Sequence, residues 1–333
     1  MNELASTHLA APVFADVEAA ATRLKGEAVR TPLLEAPLLN EKLGGRLLVK
    51  PECLQRTGSF KYRGAFNRLS LIPEADRARG VLAYSSGNHA QGVAHAAARL
   101  GIKASIIMPE DAPAMKIQNT KDYGAEVILY DRYNESREEI GQRIAAETGA
   151  TLVRPYDDPG VIAGQGTIGL EIAEQAAEAG ATLDAVIVCC GGGGLVSGTA
   201  LAIHNAAPGV AVYSAEPENF DDMARSLASG KHESNDPNAR SICDAIVTPT
   251  PGEITFSLCK PLLAGGLAVS DDEALDAMAA AFRYLKIVVE PGGAVALAAA
   301  LSGKIDMKGK TVAVVCSGEN CISEMFTRAL ARS

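Results

Sequence analysis

Runs of consecutive apolar residues alternate along this chain with stretches in which apolar residues recur every three or four positions. The runs are typical of strands buried on both faces, and the recurring pattern is typical of amphipathic helices. Their alternation predicts an α/β fold with a mainly parallel sheet. The predicted strands are Arg46–Lys50, Gly80–Tyr84, Ala104–Met108, Glu126–Tyr130, Asp184–Cys190, Ala211–Ala215 and Thr311–Cys316, and the helices predicted between them include His89–Leu100, Asn134–Thr148, Leu195–Asn205, Asp271–Lys286 and Gly293–Leu301.

Two interruptions of this pattern predict a division into two domains. Proline and charged residues break it at Pro73–Gly80, and proline, aspartate and glycine break it at Arg154–Gly160. The block between them has its own succession of strands and helices. We therefore predict a small domain of residues 79–157 inserted into a large domain of residues 1–78 and 158–333. Two lobes leave a cleft, which is the usual place for a small ligand.

Composition narrows the classes of function. The chain has 333 residues, of which 47% are hydrophobic, so a large buried core is expected. The net charge of −9 argues against a general nucleic-acid binder, which needs a basic excess to neutralise phosphates. No apolar run approaches the roughly 20 residues that span a bilayer, and no basic start precedes an apolar core. We therefore expect no membrane association and a cytoplasmic protein. Seven cysteines without a CxxC pair predict neither a disulfide framework nor a zinc site.

Lys61 is the first candidate for chemistry. It follows the turn-forming Thr57-Gly58-Ser59 and stands at the start of a helical pattern. The positive end of the helix dipole and the nearby Arg63 both disfavour the charged amine, and burial would add to this effect. A neutral amine can form a Schiff base with an aldehyde. The segment alone leaves open the commoner alternative, a solvated lysine at a helix start.

A glycine loop is the second candidate. Gly191, Gly192, Gly193 and Gly194 follow a predicted buried strand, and Leu195 begins a predicted helix. Backbone N–H groups converge in such a loop, and the helix start adds positive potential, so the pattern favours a phosphate site. The Lys-Ser/Thr ending of the P-loop is missing, which disfavours a triphosphate. The alternative is a flexible or tightly packed turn.

Two more strand-to-helix turns carry polar groups. Ser85-Ser86-Gly87-Asn88-His89 offers hydroxyls, an amide and backbone N–H groups suited to a carboxylate, although an ordinary helix cap is the alternative. Ser317 follows the last predicted strand, where ligands sit in open α/β sheets, and its hydroxyl suits a heterocycle nitrogen. A capping serine is the alternative there. Together with Lys61 and the glycine loop, these turns provide what pyridoxal phosphate and an amino-acid substrate require.

In these motifs the chain resembles the serine/threonine dehydratase and serine racemase family of pyridoxal-phosphate enzymes. The motifs run in the family's order from about residue 20 to the end of the chain. The resemblance implies the tryptophan-synthase-β fold, with two lobes and mainly parallel twisted sheets, and it implies a homodimer. The matching segments are Ser59–Ala65, Ser85–His89, Val161–Thr167, Gly191–Gly194, Ala215–Pro217 and Cys316–Gly318.

The resemblance also implies roles for individual residues at a pyridoxal 5′-phosphate site. Lys61 would carry the cofactor as a Schiff base, with Phe60 packed near the ring. Asn88 would bind the 3′ oxygen, and Ser317 would face the pyridine nitrogen. The phosphate would lie on Gly191, Gly192, Gly193, Gly194 and Leu195, and the substrate carboxylate would be surrounded by Ser85, Ser86, Gly87, Asn88 and His89.

Two further roles come from particular members of the family. In the racemases, a serine that matches Ser86 acts as acid and base on the face opposite the lysine. Some members bind a divalent cation through a segment like this chain's Glu216 to Asp222. That implies a site for Mg²⁺ or another divalent cation at Glu216, Asp222 and the carbonyl of Phe220. The alternative for these carboxylates is a solvated helix start.

The implied activity is that of an L-threonine/L-serine dehydratase, an ammonia-lyase that forms a 2-oxo acid and ammonia by β-elimination. Three departures from the relatives leave the substrate open: Asp244-Ala245-Ile246, Tyr156 and Thr248–Gly252. A racemase for serine or another amino acid remains an alternative, as does a dehydratase for 3-hydroxyaspartate or another β-hydroxy amino acid. A non-catalytic binding module is disfavoured because Lys61 and the glycines are intact.

Overall fold

The computed structural model describes residues 10–332. The first nine residues and the last residue of the predicted large domain therefore lie outside the described residues. Those first nine also belong to the start of the chain, where no basic stretch before an apolar core is found. The ten strands are β1 (Leu34–Glu35), β2 (Arg46–Pro51), β3 (Val81–Tyr84), β4 (Ala104–Pro109), β5 (Glu126–Tyr130), β6 (Thr151–Leu152), β7 (Ala185–Cys189), β8 (Ala211–Pro217), β9 (Gly265–Val269) and β10 (Thr311–Cys316).

Fourteen α-helices fill the described chain between the strands. They are α1 (Phe14–Leu24), α2 (Pro37–Leu43), α3 (Lys61–Ser70), α4 (Glu74–Arg77), α5 (Asn88–Leu100), α6 (Ala114–Asp122), α7 (Arg137–Thr148), α8 (Pro159–Glu178), α9 (Gly194–Ala206), α10 (Asp222–Ser229), α11 (Glu253–Leu262), α12 (Asp271–Ala280), α13 (Pro291–Leu301) and α14 (Ser323–Leu330). Short 3₁₀ turns cover Glu52–Leu54 and Arg56–Gly58, and a π-helical turn covers Ala281–Leu285. No described helix is both long and apolar enough to cross a membrane.

A six-stranded sheet forms the larger part of the core. Its strand order is β1-β2-β10-β7-β8-β9, and every pair is parallel except β1 with β2. Successive residues of a strand point to opposite faces. In β2, Leu47 and Val49 pack with α12 and α13, whereas Leu48 packs with α8 and α9. Helices thus cover both faces, as the unbroken apolar runs predicted.

A second sheet has the order β5-β4-β3-β6, and all of its pairs are parallel. Its strands come from residues 81–152, inside the block predicted as the small domain. The predicted α/β class with mainly parallel sheets is therefore confirmed. The domain boundaries, 79–157 within 1–78 and 158–333, stay a prediction.

All seven predicted strands are present, with ends shifted by at most two residues. The helix predicted from Asn134 begins at Arg137 instead, because the Ser136 side chain accepts a hydrogen bond from the Glu139 amide and caps it there. The helix predicted over Asp271–Lys286 is α-helical only to Ala280 and ends in the π-helical turn.

Candidate active site

Lys61 begins α3, after a turn in which Thr57 and Gly58 have positive φ angles of 61° and 67°. Its Nζ donates a hydrogen bond to the Pro155 carbonyl at 2.7 Å. Burial lowers the pKa of Lys61 to about 8, and the Glu290 carboxyl opposes this shift. A substantial fraction of the amine is therefore neutral near pH 8, as a nucleophile or a base requires.

Arg63 does not contribute to this shift in the way that the sequence predicted. Its guanidinium is buried and pairs with Glu52 at 2.8 Å and with Glu171 at 2.6 Å. Because both carboxylates neutralise it, burial rather than Arg63 lowers the pKa of Lys61. The expected neighbour effect of Arg63 is thus wrong, although the expected direction of the shift is right.

The serine turn, Ser85–His89, lies beside the lysine because α5 packs closely on α3. A Cβ added at Gly92 would lie 3.1 Å from the Lys61 carbonyl carbon, so the close approach depends on that glycine. Ser85, Ser86 and Gly87 connect β3 to α5, and the Gly87 amide donates to Ser85 Oγ at 3.2 Å. The serine turn therefore presents its hydroxyls at the strand end, as predicted.

His89 is held as a neutral ring. Its Nε2 lies 3.0 Å from the Val153 carbonyl, and the side chain is buried. Burial, with a smaller effect of the nearby Lys61 charge, lowers the pKa of His89 to about 3. A histidine with this pKa carries no charge at neutral pH. Its single ring N–H is on Nε2, facing the Val153 carbonyl, and Nδ1 can only accept a hydrogen bond.

Asn88 is fixed by two side chains that the sequence analysis missed. Its Nδ2 donates to Glu290 Oε1 at 2.5 Å, and its Oδ1 accepts from Asn320 Nδ2 at 2.7 Å. Glu290 is buried at the start of α13, and glycine at 318 leaves room for its carboxyl, since a Cβ there would lie 2.3 Å from Glu290 Oε1. These contacts set which edge of the Asn88 amide carries its N–H groups.

Ser317 reaches the lysine through backbone pairing. The Phe60 amide donates to the Ser317 carbonyl at 3.1 Å, and Ser59 forms an isolated antiparallel bridge with Gly318. The carboxyl end of β10 is thereby joined to the residues immediately before Lys61. The Phe60 ring centroid lies 5.1 Å from Lys61 Nζ. The structure thus brings Phe60, Lys61 and Ser317 together, as predicted.

The glycine loop connects β7 to α9 and is tightly packed. A Cβ at Gly192 would lie 2.4 Å from the Tyr156 ring, and one at Gly194 would lie 2.9 Å from Tyr156 Cα. Gly193 has a φ of 93°, which favours glycine. Within residues 10–332, no group accepts a hydrogen bond from the amides of Gly191, Gly192 or Gly193. Close packing and free amides therefore occur together, and a helix start with unpaired N–H groups fits a phosphate. Leu195 is buried in the first turn of α9.

The predicted cation ligands lie at the end of β8 and the start of α10. Both Glu216 carboxylate oxygens accept backbone N–H groups, from Met223 and Ala224, each at 2.9 Å. Asp222 Oδ1 accepts from Asn235, and its buried Oδ2 has no partner among the described groups. Burial raises the pKa of Asp222 to about 6, and burial together with Asp222 raises the pKa of Glu216 well above its ordinary value.

Glu216 and Asp222 are buried carboxyl groups whose pKa values are both raised. Asp222 raises the pKa of Glu216, and a cation bound between the two carboxyl groups would relieve that repulsion. Within residues 10–332, however, no three or more His, Cys, Asp and Glu side chains are grouped as a metal site requires. The predicted set supplies only two such side chains, with the Phe220 carbonyl as third ligand. The cation stays a prediction.

A small cavity with two arginines adjoins the serine turn. It has a volume of about 90 Å³ and is lined by Ser85, Ser86, Ile107, Pro109, Tyr130, Arg132 and Arg137. Arg132 pairs with Asp111 at 2.7 Å, whereas Arg137 pairs with Glu138 at 2.8 Å and stacks on the Tyr84 ring. The sequence analysis did not identify either arginine, because nothing in the local sequence indicates that they meet the serine turn.

A family model described as "Pyridoxal-phosphate dependent enzyme" matches residues 24–318. The chain belongs to this family. Curated relatives of this pyridoxal-phosphate enzyme carry different activities at similar identity. It is 43% identical over 310 residues to the L-threo-3-hydroxyaspartate ammonia-lyase of Saccharomyces cerevisiae, covering 93% of both chains. It is 42% identical to the serine racemase of Schizosaccharomyces pombe, covering 98% of this chain and all of the relative.

Solved structures agree with the fold of this pyridoxal-phosphate enzyme. The T.th. threonine deaminase superposes with a TM-score of 0.88 at 43% identity, covering 93% of this chain and 99% of that one. The side chains in the site also fit the cofactor, since an amine of lowered pKa lies beside Asn88 and Ser317, and free amides line the glycine loop. The roles of the individual residues stay predictions.

Proposed function

We propose that this enzyme is an L-threonine/L-serine ammonia-lyase that uses pyridoxal 5′-phosphate. The observation that carries the proposal is Lys61, an amine with a pKa near 8 between the serine turn and Ser317. When bound, the cofactor supplies an aldehyde for covalent attachment and a ring that accepts electrons. The names of the relatives, which include an ammonia-lyase and a threonine deaminase, support this reaction class.

In this proposal Lys61 has two tasks. It would hold the cofactor covalently, and its amine, when free and neutral, would remove the substrate's Cα proton. Loss of that proton and of the β-hydroxyl together amounts to one water. Hydrolysis of the nitrogen-bearing product consumes one water and gives a 2-oxo acid and ammonia. Asn88 binds the 3′ oxygen, Phe60 packs near the ring, and Ser317 faces the pyridine nitrogen.

The two ends of the bound molecules are held by backbone groups. The amides of Gly191 to Gly194, with Leu195, bind the phosphate at the start of α9. The turn of Ser85, Ser86, Gly87, Asn88 and His89 surrounds the substrate carboxylate. The neutral His89 ring donates its single N–H to the Val153 carbonyl, so His89 contributes its backbone N–H rather than its ring to the carboxylate.

A Lys61→Ala variant tests the proposal directly. It is expected to lose the visible absorbance of covalently attached cofactor and the formation of 2-oxo acid from L-threonine together. Lys103→Ala, which removes an exposed lysine, is the control and should keep the absorbance. A Lys61→Ala protein that still binds cofactor covalently would contradict the assignment of Lys61.

A second candidate is an amino-acid racemase, because a racemase relative is as similar as the lyases. Here Ser86 exchanges a proton with Cα on the face opposite Lys61. Ser86→Ala is then expected to suppress racemisation while leaving elimination from L-substrates largely intact. Equal loss of both activities would remove this role from Ser86.

A third candidate is 3-hydroxyaspartate elimination, which the cavity with Arg132 and Arg137 favours. A second carboxylate on the substrate would meet two arginines there beside the serine turn. Each already pairs with one carboxylate, Asp111 or Glu138, and keeps further N–H groups to donate. The test is a panel of threonine, serine and 3-hydroxyaspartate in each stereoisomer, scored for 2-oxo acid. Arg137→Gln should raise KM for hydroxyaspartate selectively, whereas the exposed Arg99→Gln should not. Equal effects on threonine would exclude the arginines as a specificity site.

The homodimer, the two-domain division and the cation at Glu216, Asp222 and Phe220 are part of the proposal. For the cation, dialysis against a chelator should lower the melting temperature, and added Mg²⁺ or another divalent ion should restore it. Asp222→Asn should abolish the restoration. A chelator-treated protein that is unchanged in stability and activity would remove the cation from the proposal.

A further inference from the structure

The segment between β6 and α8 contacts several separate parts of the site. The Pro155 carbonyl accepts from Lys61, and Tyr156 packs on the glycine loop. Asp158 caps α8 by accepting from Gly160 and Val161. Asp157, the residue between them, has no role in the motifs that identify the family. Asp157 is connected to the glycine loop through contacts with α11, and no sequence motif indicates these contacts.

Asp157 caps a helix that cannot cap itself. The residue before α11 is Gly252, which has no side chain to accept the first-turn N–H groups. Asp157 Oδ1 accepts instead from Ile254 N at 2.9 Å and from Thr255 N at 3.2 Å. A Cβ at Gly252 would lie 2.4 Å from Asp157 Oδ1, so the glycine is what admits the carboxylate. The cap of α11 thus comes from a residue almost 100 positions earlier.

Helix α11 in turn holds the glycine loop. Thr255 Oγ1 donates to the Gly192 carbonyl at 2.7 Å, and the Gly252 amide donates to the same carbonyl at 3.2 Å. In a planar trans peptide, the C=O and the next N–H point in opposite directions. Because the Gly192 carbonyl is turned toward α11, the Gly193 N–H is directed away from it. That N–H has no acceptor within the described chain.

We propose that Asp157 is a positioning residue for phosphate binding. By capping α11 it fixes Gly252 and Thr255, and these two residues fix the Gly192–Gly193 peptide with its N–H free for a phosphate oxygen. The inference rests on the proposed pyridoxal 5′-phosphate site. It adds a residue that touches neither cofactor nor substrate and acts only through α11.

The test compares two aldehydes on the apoprotein. Pyridoxal 5′-phosphate and pyridoxal both attach to Lys61, but only the first has a phosphate for the loop. Asp157→Ala should weaken the affinity for pyridoxal 5′-phosphate about tenfold, the size expected for a lost helix cap. Its affinity for pyridoxal should stay within about twofold of wild type. Affinities are measured by absorbance titration of dialysed protein.

Two variants separate positioning from general damage. Asp157→Asn keeps an oxygen that can accept the same N–H groups and should restore most of the phosphate-dependent affinity. Ser270→Ala removes the cap of α12, where Ser270 accepts from Glu273 at 3.2 Å, and serves as the matched control. It should leave the ratio of the two affinities unchanged. A changed ratio in Ser270→Ala would mean that any lost cap produces the effect, which would overturn the proposal.

Thr255→Val tests the route and provides a second variant if Asp157→Ala folds poorly. It removes the hydroxyl that holds the Gly192 carbonyl, so it should also weaken only phosphate-dependent binding. In the double variant the losses should be less than additive, because both substitutions act on one peptide. Fully additive losses, or equal losses for the two aldehydes, would overturn the proposal. A wild-type apoprotein that binds both aldehydes equally would instead contradict the proposed phosphate site itself.

Discussion

Glu290 is a buried carboxyl whose charge the fold disfavours. Burial raises its pKa from the ordinary 4.5 to about 7, and the hydrogen bond from Asn88 offsets only part of this shift. A folded-state pKa above the unfolded one stabilises the fold at low pH, where the group is protonated. The contribution is fully present below about pH 4.5 and is lost as the pH rises through 7.

Glu290→Gln should therefore gain stability relative to wild type as the pH rises. Glutamine keeps an oxygen that accepts from Asn88 but carries no charge. Between pH 5 and pH 8.5, the difference in unfolding free energy should shift in favour of the variant by up to about 3 kcal/mol. Urea denaturation of the apoprotein measures it, with the exposed Glu41→Gln as control. A difference that does not vary with pH would show that the carboxyl titrates normally.

Gly192 is a residue at which the addition of one methyl group should lower the stability of the fold. Its substitution by alanine places a Cβ 2.4 Å from the Tyr156 ring, so we expect a loss of about 1–3 kcal/mol from overpacking. In a Tyr156→Ala background the clash is gone and the same substitution should cost much less. Thermal or urea unfolding of the four proteins measures this coupling. The same cost in both backgrounds would mean that Tyr156 is not the obstacle.

At the level of single residues, the sequence predicted groups that stand inside local motifs. Lys61 follows a recognisable turn and Ser317 begins one, and the structure brings the two residues together. Glu290 and Asn320 were missed because they act on Asn88, about 200 positions away. Thr255 was missed because its only distinguishing feature is a hydrogen bond to the glycine loop. Contacts of this kind exist only after folding and leave no local pattern.

At the level of elements, the crossing of α8 and α9 depends on missing side chains. A Cβ at Gly198 would lie 2.3 Å from the Ile162 carbonyl, and one at Gly166 would lie 2.8 Å from the Gly198 carbonyl. Backbone atoms cannot move aside without separating the helices. These glycines therefore set how closely α9, which begins at the glycine loop, packs on α8.

Alanine at two helical glycines should have opposite effects. Gly198→Ala forces α8 and α9 apart and should destabilise the protein by at least about 2 kcal/mol. Gly141 lies within α7, where an added Cβ finds no atom nearer than 3.6 Å. Gly141→Ala should stabilise by about 0.5–1 kcal/mol, because alanine favours the helix. Denaturant midpoints compare the two, and a mild effect of Gly198→Ala would show that the crossing can relax.

Three of the described strands were not predicted from the sequence, because the local sequence gives them no strand pattern. Strands β1 and β6 have only two residues each, too few to form an apolar run. Strand β9 is Gly265-Gly266-Leu267-Ala268-Val269, whose paired glycines are typical of a turn. It forms a strand because it pairs in parallel with β8 at the edge of the sheet. Gly266 permits this pairing, because a Cβ at that position would lie 2.4 Å from the Ala224 Cβ. Tertiary pairing overrides the local preference.

At the scale of the whole molecule, two ion pairs among the described residues join the block that holds the four-stranded sheet to the rest of the chain. One is Arg99 with Glu27 at 3.0 Å, and the other lies near Glu290. Lys116 on α6, beside the four-stranded sheet, pairs at 3.1 Å with Asp244 in the segment between α10 and α11. Asp244 is well exposed, so the pair should contribute less than about 1 kcal/mol to stability. Both charges nevertheless act on Glu290, since Asp244 raises the pKa of that carboxyl and Lys116 lowers it.

Removing the two partners should therefore move the titration of Glu290 in opposite directions. Lys116→Gln leaves the repulsion from Asp244 uncompensated and should raise the pKa of Glu290, whereas Asp244→Asn should lower it. The unfolding free energy of each variant is measured as a function of pH, with and without the additional substitution Glu290→Gln. The pH dependence of the difference gives the pKa of Glu290. In 1 M salt both shifts should shrink, because the Debye length falls from about 10 Å at 0.1 M to about 3 Å. If both substitutions shift the pKa of Glu290 in the same direction, they act by changing the structure around Glu290 and not through the charges of Lys116 and Asp244.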